Sequence, residues 1–83
     1  MNNFLENFPF PLEDWEENTL IARTDNSEDF AKMFNYVQNS DFEEAESVTR
    51  ETYAYFEYTD GEYEIRLVAD FAKDEYACMI GER

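Results

Sequence analysis

The chain has 83 residues, enough for one domain over 1–83, and sets 21 Asp and Glu against 6 Lys and Arg with no His, a formal net charge of −15. That balance excludes direct binding to nucleic acid and adsorption to an anionic leaflet, both of which need clustered cations. With no histidine, no glycine-rich phosphate loop and no Ser or Cys beside a base, the sequence reads as a non-enzyme without a cofactor.

A domain of this size buries only about 60% of the surface its unfolded chain exposes. Eight Phe, six Tyr and one Trp must therefore supply much of the core. The single cysteine, Cys78, rules out an internal disulfide and suits a reducing compartment, and in a predicted strand it reads as core. The opening residues MNNFLENFPFPLEDW lack a basic segment and a long apolar run, so neither a signal peptide nor a membrane span is expected, and a cytoplasmic setting is.

Residues 1–14 contain both prolines, which favour an irregular segment pinned to the body by Phe4, Leu5, Phe8 and Phe10. The run WEENTLIAR predicts a strand over 15–23, with Leu20 and Ala22 on one face and Thr19 and Ile21 on the other. A helix is predicted over about 27–38, because Phe30, Met33, Phe34 and Val37 form one apolar stripe. Two N-caps are available to it, Asp25 with Glu28 three residues on, or Ser27. A second cap pattern at Ser40 and Glu43 predicts a short acidic helix over about 41–48, with a narrow apolar edge at Phe42 and Ala45.

Residues 52–69 read as a β-hairpin turning at Asp60-Gly61. A two-residue loop there pairs Tyr58 with Tyr63, Phe56 with Ile65 and Ala54 with Leu67 on one face, and sets Glu57 against Glu64, Tyr55 against Arg66 and Tyr53 against Val68 on the other. After a turn at 72–75, a strand over 76–80 returns with Cys78 beside Ala69 and Met79 beside Val68. The expected fold class is two-layer α+β: an antiparallel sheet of three to four strands, the 15–23 strand optional, packed on the main helix through the Ala54/Phe56/Ile65/Leu67 face.

A calcium-loop reading fails on residue type. With Gly61 at the sixth position, the first, third and twelfth ligands fall on Phe56, Tyr58 and Leu67, so no dedicated metal site is expected.

The carboxylates form three groups interleaved with aromatics. One is Glu57, Asp60, Glu62 and Glu64 beside Tyr53 and Tyr55; the second is Asp41, Glu43, Glu44 and Glu46 around Phe42; the third is Glu13, Asp14, Glu16 and Glu17 around Trp15. Any one group reads as a solvated face, whereas three together, with little compensating Lys, suggest a surface for a cationic protein. Two opposed glutamates cost an antiparallel pair some tenths of a kcal/mol unless a partner supplies cations.

In size, charge, absent catalytic residues and carboxylates carried on a small α/β body, the whole chain resembles the small acidic DNA-mimic inhibitors of phages and mobile elements. That class includes anti-CRISPR, anti-restriction and uracil-DNA glycosylase inhibitor proteins. The resemblance implies a protein of the bacterial host cytoplasm that blocks the nucleic-acid groove of a nuclease, a CRISPR effector or a restriction enzyme. The alternative expectation is an immunity protein or antitoxin that neutralises a basic nuclease toxin, and a third is a non-inhibitory interaction module.

Overall fold

The computed structural model describes residues 2–82 and is α+β, with two helices and a six-stranded antiparallel open sheet. In chain order these are α1 (Asn2–Glu6), β1 (Glu13–Glu16), β2 (Thr19–Thr24), α2 (Ser27–Gln38), β3 (Glu43–Thr49), β4 (Tyr53–Thr59), β5 (Tyr63–Asp70) and β6 (Glu75–Glu82). The sheet order is β1-β2-β6-β5-β4-β3, so β1 and β3 are its edges.

The expectation of three to four strands undercounts the sheet, for two reasons. First, the stretch expected as one strand over 15–23 is a hairpin. Asn18 takes a left-handed φ of 61°, a conformation asparagine tolerates better than most residues, and β1 folds back on β2. Second, the segment expected as a short acidic helix over 41–48 is the edge strand β3, paired with β4. A helix there would bury only a narrow apolar edge, whereas pairing satisfies the outer backbone groups of β4 and leaves the glutamates in water. Phe42, just ahead of β3, is buried in the core.

The hairpin register also differs from expectation, by two residues. Thr59 pairs with Glu64, Tyr58 with Ile65, Glu57 with Arg66 and Phe56 with Leu67. The cause is Asp60, whose carboxylate accepts the backbone N–H groups of Glu62 at 2.9 Å and Tyr63 at 2.8 Å. That cap keeps Asp60 in the flank of β4 and makes Gly61 and Glu62 the tip, with only Gly61 at positive φ (94°). Asp70 caps the next turn in the same way, accepting from Ala72 and Lys73, so that Cys78 lies beside Leu67 and Met79 beside Arg66. Because both shifts are even, each side chain keeps its predicted face.

Helix α2 follows the expected stripe: Phe30, Met33 and Val37 are buried, and the Phe34 ring lies 4.8 Å from that of Phe56. Its cap is neither Asp25 nor Ser27. Asn26 stands in extended backbone and its side chain accepts from the N–H groups of Glu28 and Asp29. Beneath the helix lie Ala54, Ile65, Leu67, Ala69, Cys78 and Ile80, all from one face of the sheet. The residues expected to be irregular, 1–14, include the one-turn helix α1, while Phe4, Leu5, Phe8 and Phe10 pack against the same core. Tyr36 donates its hydroxyl to the Phe4 carbonyl at 2.7 Å, tying α1 to α2.

Candidate functional site

The second face of the sheet contributes nothing to that core. Following the strand pairing across it gives three rows on the face away from the helices. The row nearest the β4–β5 turn is Glu43, Thr59, Glu64, Gly81, Thr19 and Glu16. The next is Glu46, Glu57, Arg66, Met79, Ile21 and Glu13. The third is Val48, Tyr55, Val68, Ala77 and Arg23, with Tyr53 and Asp70 beyond it.

Two of these rows are acidic and one is largely apolar. Each strand contributes one residue per row, about 4.8 Å from its neighbour across the sheet, and rows are about 6.7 Å apart along the strands. Trp15 occupies a bulge in β1 and bounds a pit of about 50 Å³ together with Glu64, Arg66, Met79 and Gly81. A Cβ at Gly81 would lie 2.9 Å from Thr19 Oγ1 and 3.3 Å from the Asn18 carbonyl, so a larger residue there would require both to shift. Trp15 and Tyr53 are 44% and 45% exposed, large values for such side chains, and they flank the face on opposite sides.

Within the acidic rows the charges interact. Arg66 bonds the Glu64 carboxylate at 3.3 Å, and that contact together with burial of the guanidinium sets opposing influences whose net effect raises the Arg66 pKa. Tyr55 donates its hydroxyl to Glu57 at 3.3 Å, and its own pKa is raised by burial and then by the Glu57 charge. Glu57 was expected directly opposite Glu64; it stands opposite Arg66 and diagonal to Glu64, with Glu46 on its other side. Its pKa is raised above the ordinary carboxyl value, first by a hydrogen bond shared with Glu64, then by burial and by the Glu64 charge. So the unfavourable pairing survives the change of register as a diagonal one.

Of the residues singled out in the sequence, Glu13, Trp15, Glu16, Glu43 and Glu46 join Tyr53, Tyr55, Glu57 and Glu64 on this face. The others do not. Asp14 pairs with Leu20 and Glu44 with Tyr58, which gives them the parity of the helix-covered face, and Glu17 lies in the β1–β2 turn. Asp41 precedes β3, Asp60 flanks the β4–β5 turn and Glu62 sits at its tip. Asp60 is held below its usual carboxylate pKa by the Tyr63 and Glu62 N–H groups, a turn-forming role. Val48, Val68, Ala77, Met79 and Ile21 were not singled out, although the alternation already placed Val68 with Tyr53; the neighbours from β2, β3 and β6 follow only from the sheet order.

Cys78 is fully buried, and desolvation pushes its thiol up to about 12. Away from the sheet face, an open groove of about 830 Å³ runs between α1 and α2 over Phe4, Tyr36 and Phe42, edged by Asn3, Asn7 and Asn35. Among the described residues no group of three or more His, Cys, Asp or Glu side chains is placed to hold a metal ion, and no helix is long and apolar enough to cross a membrane. No protein family, curated protein or solved structure matches the chain.

Proposed function

We propose that this protein is a DNA-mimic inhibitor whose helix-free face occupies the nucleic-acid groove of a cationic bacterial defence nuclease complex, anti-CRISPR or anti-restriction in kind. One observation carries the reading: Glu43, Glu64, Glu16, Glu46, Glu57 and Glu13 occupy two adjacent rows of a single face, with Arg66 as the one cation among them. Phosphates along one DNA strand advance about 3.4 Å per step along the axis, and winding roughly doubles their separation through space. Among these glutamates, Glu46 and Glu57 are direct neighbours on adjacent strands, about 4.8 Å apart, and Glu57 and Glu64 are diagonal neighbours, about 7–8 Å apart, spacings that bracket that separation.

The mechanism is competitive. The net charge of −15 steers the molecule toward a basic groove, where complementary fields raise association rates by factors of about 10 to 10³. Exposed Trp15 and Tyr53 then supply apolar and cation–π contact with partner arginines. The test is displacement of a labelled duplex from CRISPR effector and restriction complexes. Displacement should weaken as salt rises and should fall at least tenfold for the triple substitution Glu46→Gln, Glu57→Gln, Glu64→Gln. No displacement at low salt from any such complex would refute the proposal.

A further inference from the structure

The helix-free face is divided, and the division runs in a particular direction. Its acidic rows and its third row, apolar through Val48, Tyr55, Val68 and Ala77 and closed by Arg23, all run across the strands rather than along them. Resting on the function proposed above, we propose that the element received by this face is an amphipathic basic α-helix of the partner, lying across the strands.

Direction separates a helix from a second sheet. A sheet stacked on this one aligns its strands within about 30° of these. Each of its strands would then cross acidic, acidic and apolar rows in turn, and no single polarity would fit it. A helix laid across the strands runs parallel to the rows. Over β3, β4 and β5 one flank lies over Glu43, Glu46, Glu57 and Glu64 and the other over Val48, Tyr55 and Val68; at β6 the acidic flank gives way to Gly81 and Met79 beside Ala77.

Dimensions agree with this. A helix rises about 5.4 Å per turn, close to the roughly 4.8 Å between strands, so side chains one turn apart meet successive strands. The three rows span about 13 Å, near the 10–12 Å diameter of a helix with its side chains. Crossing all six strands takes about 24 Å, the length of about 16 helical residues, and the four strands of the apolar row take about 14 Å, the length of about 10. Charge excludes the other occupants: a second copy would bring the same carboxylates, and nucleic acid would bring phosphates. A helix with Lys or Arg along one flank is also the element many DNA-binding proteins place in the major groove, which joins this inference to the proposed function.

Three 16-residue synthetic peptides test it with the full chain. The first is an alanine-based helix with Arg one turn apart on one flank and Leu on the adjoining flank. The second permutes the same residues so that Arg and Leu alternate around the helix, and the third replaces two central alanines of the first with proline. Binding is read at low salt from amide chemical shifts of the labelled protein. The first peptide should bind at least tenfold tighter than the other two and shift the amides of Val48, Tyr55, Val68 and Ala77. Val68→Ser should remove most of that preference, as should Val48→Ser on the edge strand, where folding is least at risk. Equal binding of all three peptides overturns the helix inference; the DNA-mimic reading survives that result if the triple Gln substitution still abolishes displacement of duplex from the defence complex. Preference for the first peptide with shifts confined to other surfaces also overturns the helix inference.

Discussion

Replacing Glu57 by Gln should make the protein more stable and a poorer binder. Glu57 has two like-charged neighbours on its face, Glu46 opposite and Glu64 on the diagonal, against one guanidinium, Arg66, which is already bonded to Glu64. Two unit charges 4 Å apart interact by about 1 kcal/mol in bulk water, and somewhat more at a half-buried site. With one attraction offsetting one repulsion, a single repulsion of about 0.5–1 kcal/mol is left to relieve. For a domain of this size that corresponds to a melting-temperature rise of roughly 2–8 °C.

The pH dependence fixes the origin of the gain. Because the folded state raises the Glu57 pKa above 4.5, it holds more protons than the unfolded chain in the window just above that value. Wild-type stability therefore falls as pH climbs through the window, and the Gln variant does not share that fall. Melting followed by far-UV circular dichroism should show the variant's advantage in full at pH 7 and none at pH 3, with the advantage shrinking in 1 M salt as screening takes over. A lower melting temperature at pH 7 would show instead that Arg66 holds Glu57 favourably, and an equal gain at both pH values would remove charge as the cause.

Other perturbations probe the parts that position this face. Leu67→Ala removes a fully buried side chain between Phe56 and Cys78 and should cost about 2–5 kcal/mol in urea unfolding, a large share of the roughly 4–12 kcal/mol expected of 83 residues; a loss below about 1 kcal/mol would contradict the packing. Asn26→Ala should cost about 1 kcal/mol by orphaning the Glu28 and Asp29 N–H groups, whereas Asn26→Asp should cost far less. Raising salt from about 10 to 150 mM should increase the wild-type melting temperature, since the Debye length falls from about 30 to 8 Å; a decrease would mean that ion pairs outweigh repulsion.

The parts of the fold legible in the sequence were those written in short periods. The α2 stripe at Phe30, Met33 and Val37 and the alternation through β4 and β5 set which side of each element faces the core. What escaped depended on single side-chain oxygens and on distant partners. Asp60 moves the hairpin tip by one residue with two hydrogen bonds, and nothing in the Asp60-Gly61 pair announces that the aspartate will cap rather than turn. Ser40 and Glu43 form a helix-cap pattern ahead of 41–48, yet β4 offers Glu43–Thr49 an edge to pair with, and that offer is not local to the segment. The candidate face was legible as three separate acidic groups; their assembly into rows follows from β1 and β3 standing at opposite edges of one sheet.

Those two edges have a consequence for the protein in acid. Each is interrupted by a bulge, at Trp15 in β1 and at Ala45 in β3, and each bears glutamates that repel an incoming strand from another copy. The bulges persist at any pH, but the repulsion lasts only while the glutamates are ionised. Once protonated, Glu43–Thr49 is an uncharged template seven residues long, open to backbone pairing with its neighbours. Loss of that repulsion in acid should therefore favour edge-to-edge association, beginning at the longer rim.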